Sequence, residues 1–237
     1  MGGKIRLNKF FSNCHSEALQ IGERFKIRKT KLILVEGKDE LNFFTKFLEF
    51  LNLGETVDVW CVNGKDNFRK IINLVKKDEM YRAGKLEMLG IIRDADKDFD
   101  GAFKSVCTSL NNNGFPFPEK AGTFIEETPK IGIYILPDNN SPGQLEDLCL
   151  KSIMGKEVYK CVNEYYQCIK TTLQKTGEKV PQDESKSMIQ AYLASLPELC
   201  EHIGIAAQKD YWDFNSSAFE DLFRFLLCFK GNDRKID

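Results

Sequence analysis

Apolar runs alternate with amphipathic segments over the first two thirds of the chain. Four of these runs are almost continuous, which is typical of strands buried on both faces of a parallel sheet. They are residues 32–35, 56–62, 88–92 and 131–136. Between them, apolar positions recur with the period of a helix. This period predicts helices over 39–51, 67–77 and 101–111, and a fourth from about residue 144. Strands that alternate with helices predict parallel pairing through right-handed crossovers.

The strand signals stop after about residue 150, and only helical periodicity continues. Further helices are predicted over 157–174, 184–195 and 218–229. The predicted fold class is therefore α/β, with about four parallel strands flanked by helices and a helical C-terminal lobe. We expect three parts: a basic N-terminal arm at 1–30, the α/β core at 31–153, and the lobe at 154–237, packed on the core.

Charge is unevenly distributed along the chain. The 34 Lys+Arg and 35 Asp+Glu residues give a net charge of −1. Residues 1–31 contain eight basic and two acidic residues, so this segment carries +6 and the remainder −7. A segment of this charge contacts phosphates or is simply a solvated edge. The near-zero total argues against a clamp that holds nucleic acid by overall charge.

Cysteine and histidine counts exclude further classes of protein. Two histidines cannot build a three-histidine zinc site. The eight cysteines contain no C-x-x-C pair and are typical of reduced, buried cysteines rather than of a disulfide scaffold. No apolar run approaches the ~20 residues of a membrane span, and the N-terminus does not have the pattern of a secretory signal. We therefore expect a cytoplasmic protein that does not bind a membrane.

Acidic residues follow three of the four predicted strands. In a parallel sheet, ligands bind at the carboxyl ends of the strands, where the strand order reverses. If the first and third strands are neighbours, the acidic groups converge on one crevice. Carboxylates held this close repel one another, and such a cluster usually persists because a cation neutralises it. The residues are Glu36, Asp39 and Glu40, then Asp94, Asp96, Asp98 and Asp100, then Asp138, Glu146 and Asp147.

The donor atoms of this cluster indicate which cation would bind. Oxygen ligands without histidine or cysteine select Mg²⁺ or Mn²⁺. Two such ions would clamp the attacking and the leaving oxygen of a phosphodiester. Gly37 and Lys38 form the turn after the first strand, where a glycine lets the backbone turn sharply and a phosphate approach. For single positions such as Asp39 and Asp98, an ordinary helix-capping role is an equal alternative.

Two of these segments resemble the motifs of Toprim domains. Residues 34–40 (LVEGKDE) are similar to the first motif, a Glu-Gly pair at the end of a strand with a second acidic residue four positions after the glutamate. Residues 92–96 (IRDAD) are similar to the second, an Asp-x-Asp at the end of the third strand. Residues 137–147 and 207–214 (AQKDYWDF) resemble a family of small, stand-alone OLD-like (overcoming lysogenization defect) Toprim proteins. The resemblance covers about residues 31–229.

The resemblance implies a role for each matching residue. Glu36 would be the general acid/base or a ligand of the first metal ion, and Asp94 and Asp96 would be metal ligands. Glu40, with Glu146 or Asp147, would complete a second metal site. Lys209 would stabilise charge on the phosphate in the transition state, the alternative being a surface lysine. The aromatic residues at 211–214 would anchor the lobe on the sheet, with base stacking as the alternative.

The function implied by the resemblance is a Mg²⁺- or Mn²⁺-dependent nuclease that hydrolyses phosphodiester bonds of DNA or RNA by a two-metal mechanism, in phage defence or DNA repair. The alternative is a non-catalytic subunit that holds metal and nucleic acid in an ATPase-containing complex. The chain contains no G-x-x-x-x-G-K-[ST] motif, so any ATPase would be a separate partner protein. The C-terminal helices would cover the sheet or form a homodimer surface.

Overall fold

A four-stranded sheet, all of whose strands are parallel, lies at the centre of the protein. The computed structural model describes residues 25–231. Strands β1 (Lys31–Val35), β2 (Val57–Cys61), β3 (Met88–Asp94) and β4 (Lys130–Leu136) have the order β2-β1-β3-β4. The chain first moves outward from β1 to β2 and then returns across β1 to β3. The strand order therefore reverses between β1 and β3, which are neighbours.

Helices connect the strands and cover the sheet, which confirms the predicted α/β class. The helices of the described residues are α1 (Lys38–Phe50), α2 (Phe68–Lys77), α3 (Glu79–Arg82), α4 (Phe99–Asn112), α5 (Leu145–Ile153), α6 (Glu157–Thr176), α7 (Glu184–Ala194), α8 (Ile203–Gln208) and α9 (Glu220–Leu227). Each predicted strand and helix is present, with ends shifted by a few residues. Residues 1–24, which make up most of the basic arm, lie outside the described part.

Two short helices escape prediction from the sequence. Helices α3 and α8 have four and six residues, which is too short for an apolar period to be recognised. The predicted helix over 218–229 is also divided, because 3₁₀ turns at Ser217–Phe219 and Cys228–Lys230 flank α9.

Alternate residues of the strands point to two separate hydrophobic clusters, one on each face of the sheet. In β1, Leu32 and Leu34 face the cluster formed with α2 and α4. Ile33 and Val35 face the cluster formed with α1 and the helices after β4. Both faces of the parallel strands are therefore covered, which explains why their sequences are almost continuously apolar.

The C-terminal helices share one hydrophobic core with the sheet. Phe214 stacks on Phe47 of α1, with ring centroids 4.4 Å apart. Trp212 is buried and its indole N–H donates to the carbonyl of Ile203 at 3.0 Å. The 207–214 segment thus anchors the C-terminal helices on α1. None of the helices between residues 25 and 231 is both long and apolar enough to cross a membrane.

Candidate active site at the strand ends

The carboxyl ends of β1 and β3 bring two acidic residues to the same edge of the sheet. Val35, the last residue of β1, is in register with Ile92 of β3. Glu36 therefore follows β1 beside Arg93, and Asp94 ends β3 one position further on. This is the edge at which parallel sheets bind ligands. The condition that the sequence left open, that β1 and β3 are neighbours, is met.

Asp94 is the most enclosed carboxylate of this edge. It is 9% exposed, and its Oδ1 accepts the backbone N–H of Leu145 at 3.1 Å. Burial, followed by the nearby carboxylates of Glu40, Glu36 and Glu146, raises the pKa of Asp94 well above its usual value. The N-terminus of α5 thus holds Asp94 in place, while the nearby carboxylates oppose the ionisation of Asp94.

Glu40 and Glu146 approach the same point from the first turns of α1 and α5. Burial raises the pKa of Glu40 to about 7, and the carboxylates of Asp39, Glu146 and Glu36 add to the shift. Burial also raises the pKa of Glu146, although Lys186, 4.0 Å away, partly opposes the shift. The cluster of Glu36, Glu40, Asp94 and Glu146, here called the acidic cluster, is therefore short of positive charge.

Glu36 and Arg93 face each other without a hydrogen bond. Glu36 Oε2 and Arg93 Nε are 3.9 Å apart, and both atoms are buried with no hydrogen-bond partner. Burial raises the pKa of Glu36 against the opposing charges of Arg93 and Lys65. Buried polar atoms are rarely left unpaired, and these two are exceptions at the ends of β1 and β3.

Asp96 lies at the rim of the site in a constrained backbone turn. Its φ is 53°, and its N–H and carbonyl both pair with Gly143, at 2.9 and 2.7 Å. Its Oδ2 accepts a hydrogen bond from the Lys65 ammonium at 2.8 Å. Sequence reasoning missed Lys65, which lies in the loop after β2. The available signal was the Asn63-Gly64 turn, which brings the next residue to a strand end.

Asp147 and Asp39 use their carboxylates to fix the surrounding helices. Asp147 Oδ2 accepts the N–H of Gln144 at 2.8 Å, and Oδ1 accepts the hydroxyl of Ser185. Asp39 accepts two backbone N–H groups at the start of α8, at 3.2 Å and 2.7 Å. Both residues border the acidic cluster, but their oxygens are already engaged. The cap of α4 is Asp98, which accepts the N–H of Gly101 at 2.9 Å.

Gly37 leaves room for the carboxyl group of Glu40. Its φ is −125°, which any residue adopts, so its backbone does not require glycine. A Cβ at this position would lie 2.5 Å from Glu40 Oε2 and would displace that carboxyl group. Lys38 is exposed at the first turn of α1.

Lys209 is not brought to the acidic cluster. Its Nζ pairs with Glu198 at 2.6 Å. It directly follows α8. The first N–H groups of α8 donate to Asp39, and the helix then runs along α1, so that Asp210 meets Lys46 at 2.9 Å. Helix α1 begins at the strand ends, so the C-terminal end of α8, which Lys209 follows, lies away from them.

The chemistry of the donor atoms in the site fits a hard divalent cation, but their positions do not. Among residues 25–231, no three His, Cys, Asp or Glu side chains are grouped so as to hold a metal ion. The ionisable donors are nevertheless carboxylates, which Mg²⁺ and Mn²⁺ prefer, and Glu36 Oε2 is buried without a hydrogen-bond partner. Binding would therefore require side-chain rotation toward a common centre.

Comparison with known proteins gives one family and two distant structures. Residues 30–229 match the family described as "Protein of unknown function (DUF3226)". A structure of the C-terminal region of the Xanthomonas campestris pv. campestris OLD protein, phased with mercury, is 14% identical with a TM-score of 0.43, covering 85% of this chain and 97% of that chain. A second, phased with iodine, is 13% identical with a TM-score of 0.44, covering 85% and 96%. No curated protein matches the chain.

Proposed function

The chain belongs to the DUF3226 family, and we propose that its strand-end carboxylates form the active site of a Mg²⁺- or Mn²⁺-dependent nuclease. The substrate class is DNA or RNA, and the reaction is hydrolysis of a phosphodiester bond. The observation that supports this most strongly is the burial of Asp94 among Glu36, Glu40 and Glu146, whose charges oppose its ionisation. A fold retains such repulsion where a cation or a reaction makes use of it.

The resemblance of residues 34–40 and 92–96 to the Toprim motifs supports the same proposal. The two motifs lie on strands that are far apart in the sequence and adjacent in the sheet. The first motif contributes Glu36 and Glu40, and the second contributes Asp94 and Asp96. Their convergence at one edge is what a shared active site requires.

A divalent cation bound here would neutralise the carboxylates and polarise a phosphate oxygen. Asp94 and Asp96 would hold a first ion, and Glu40 with Glu146 a second. Asp147 would position α5 rather than bind the ion, because its oxygens hold Gln144 and Ser185.

The protein's own groups have separate tasks in this proposal. Glu36 holds and returns a proton at Oε2, since burial raises the pKa of this carboxyl group and so favours its protonated form. The buried guanidinium of Arg93, 3.9 Å from that oxygen, orients the carboxyl group. Lys65 adds a positive charge at the rim, where a phosphate would arrive. Phage defence or DNA repair is the setting that we propose for this activity.

A second candidate function is a non-catalytic subunit that holds metal and nucleic acid in a complex with a separate ATPase. The observation that favours it is the absence, among the described residues, of three ligands already gathered around one point. Such a module would bind divalent cations weakly and would cleave nothing. Homodimer formation through the C-terminal helices is compatible with both functions.

Cleavage of plasmid DNA and structured RNA, with Mg²⁺ or Mn²⁺, tests the proposal. We expect wild-type protein to cut at least one of them, and Asp94→Asn and Glu36→Gln to lose roughly a hundredfold or more in rate. Asp98→Asn is the matched control, because asparagine caps a helix as well as aspartate and Asp98 only caps α4. Metal binding by the wild type without cleavage under any condition would favour the second function instead.

A further inference from the structure

The loop after β2 is fixed against the end of β1 and carries one lysine into the site. Gly64 has a φ of 103°, and its N–H donates to the carbonyl of Glu36 at 3.0 Å. Lys65 follows and begins a 3₁₀ turn, Lys65–Asn67. The position of Lys65 is therefore set by the same strand end that carries Glu36.

The Lys65 ammonium forms an ion pair with one carboxylate of the site. Its Nζ lies 2.8 Å from Asp96 Oδ2, and its side chain is 50% exposed. The carboxylate it meets is held in place, because Asp96 pairs with Gly143 through both its backbone groups. An ammonium and a divalent cation cannot both use this oxygen without repelling each other.

The two cations of the site differ in how easily they move. Arg93 is 8% exposed, and its Nε is buried opposite Glu36 without a hydrogen bond. Lys65 is half in solvent, on a flexible stem, in an ion pair of a kind that contributes little to stability. Arg93 is thus a permanent part of the site, whereas Lys65 can leave Asp96 at low cost.

We propose that Lys65 competes with the divalent cation for Asp96, and that the displaced ammonium then binds the phosphate of the nucleic acid. This inference rests on the proposed function, which makes Asp96 a metal ligand. It has a thermodynamic consequence, since metal and phosphate would bind cooperatively. The phosphate gives the displaced ammonium a new partner, so each ligand lowers the cost of binding the other.

The test is calorimetric titration of Mn²⁺ into the full-length protein, with and without thymidine monophosphate. Lys65→Gln removes the competing charge. We expect this variant alone to bind Mn²⁺ about three- to fivefold more tightly than wild type, because the metal then no longer has to break an exposed ion pair, which is weak. With thymidine monophosphate, the gain in Mn²⁺ affinity should be several-fold larger in wild type than in Lys65→Gln.

The matched control is Lys97→Gln, which removes the same charge from the residue after Asp96. Lys97 is exposed, and we expect its loss to change Mn²⁺ affinity by less than about twofold. Lys65→Arg keeps the competing charge and should behave like wild type. Circular dichroism of each variant checks that the fold is intact, and Asp94→Asn identifies the Mn²⁺ that binds at this site.

Each outcome supports or overturns a defined part of the inference. Equal Mn²⁺ affinity of wild type and Lys65→Gln, or an equal gain in Lys97→Gln, would overturn the competition. If Lys65→Gln binds Mn²⁺ more tightly than wild type, but thymidine monophosphate raises the Mn²⁺ affinity of both proteins equally, the proposed contact of Lys65 with phosphate is overturned. If Asp94-dependent Mn²⁺ binding is present while Lys65→Gln has no effect, the inference alone fails. If neither protein binds Mn²⁺, the proposed metal site fails together with it.

Discussion

Replacing Asp94 with asparagine should make the metal-free protein more stable. Asparagine keeps an oxygen in place to accept the N–H of Leu145, which Asp94 Oδ1 accepts at 3.1 Å. The substitution removes a buried charge that faces the carboxylates of Glu40, Glu36 and Glu146. The new amide N–H groups are attracted to those carboxylates. The packing volume is almost unchanged, so no cavity offsets the gain.

The expected gain follows from this exchange of repulsion for attraction. Single stabilising substitutions commonly contribute about 0.5–2 kcal/mol, and we expect about 1–2 kcal/mol here because a buried charge is removed. For a chain of this size that corresponds to roughly 3–6 °C in melting temperature. The gain should be largest at mildly alkaline pH, where the carboxylates repel most. It should shrink in acid, where Asp94 and its neighbours become protonated.

Thermal melting in the presence of a chelator measures this effect, with Asp98→Asn as the control. Asp98 also follows β3, but its carboxylate caps α4, and asparagine caps as well. We expect less than about 0.5 kcal/mol of change in the control. Added Mg²⁺ should raise the melting temperature of wild type and leave that of Asp94→Asn unchanged.

A less stable Asp94→Asn protein in the chelator would refute the reasoning. It would mean that the negative charge of Asp94 is stabilised by its surroundings. An equal gain in Asp98→Asn would also refute it, because the effect would then be general to acidic residues after β3.

Two further predictions concern Glu40 in the acidic cluster and Asp39 at its border. Burial raises the pKa of Glu40 from 4.5 to about 7. The stability that protonated Glu40 contributes is therefore full below pH 4.5 and is lost as the pH rises to about 7. The loss amounts to up to about 3 kcal/mol. Glu40→Gln should flatten the pH dependence of urea unfolding in that window; an unchanged slope would contradict this. Asp39→Ala should cost about 2–4 kcal/mol in urea unfolding, because it leaves the N–H groups of Ile203 and Gly204 without their charged acceptor. Asp100→Ala, in the exposed first turn of α4, should cost less than about 1 kcal/mol, and an equal loss in both would contradict the capping role.

The strands and the longer helices could be predicted because their patterns are local. A strand such as Lys31–Val35, buried on both faces, is apolar at nearly every position whatever it pairs with. Helices α3 and α8 could not be predicted, since they are too short to show a period. Their positions depend on contacts with distant parts of the chain, such as Asp39 at the start of α8.

The roles of individual charged residues depended on the fold. Asp39, Asp94 and Asp147 all stand at or after strand ends, yet only Asp94 is buried among like charges. Asp39 caps the start of α8, and Asp147 accepts the N–H of Gln144 and the hydroxyl of Ser185. Lys209 stands in a suggestive segment, but the direction of α8 places it beside Glu198. Lys65 stands in no recognised motif, and the loop after β2 brings it to Asp96.

The sequence by itself determined the α/β class, the order of the elements and the acidic residues that end β1 and β3. Those features follow from the spacing and the types of residues within short stretches of the sequence. Only the tertiary structure decided which carboxylates share one buried site, which serve as caps, and which cations reach them. The reason is that Coulomb repulsion, desolvation and hydrogen bonding depend on distances of a few ångströms between segments, such as β2, β3 and α5, that the fold alone brings together.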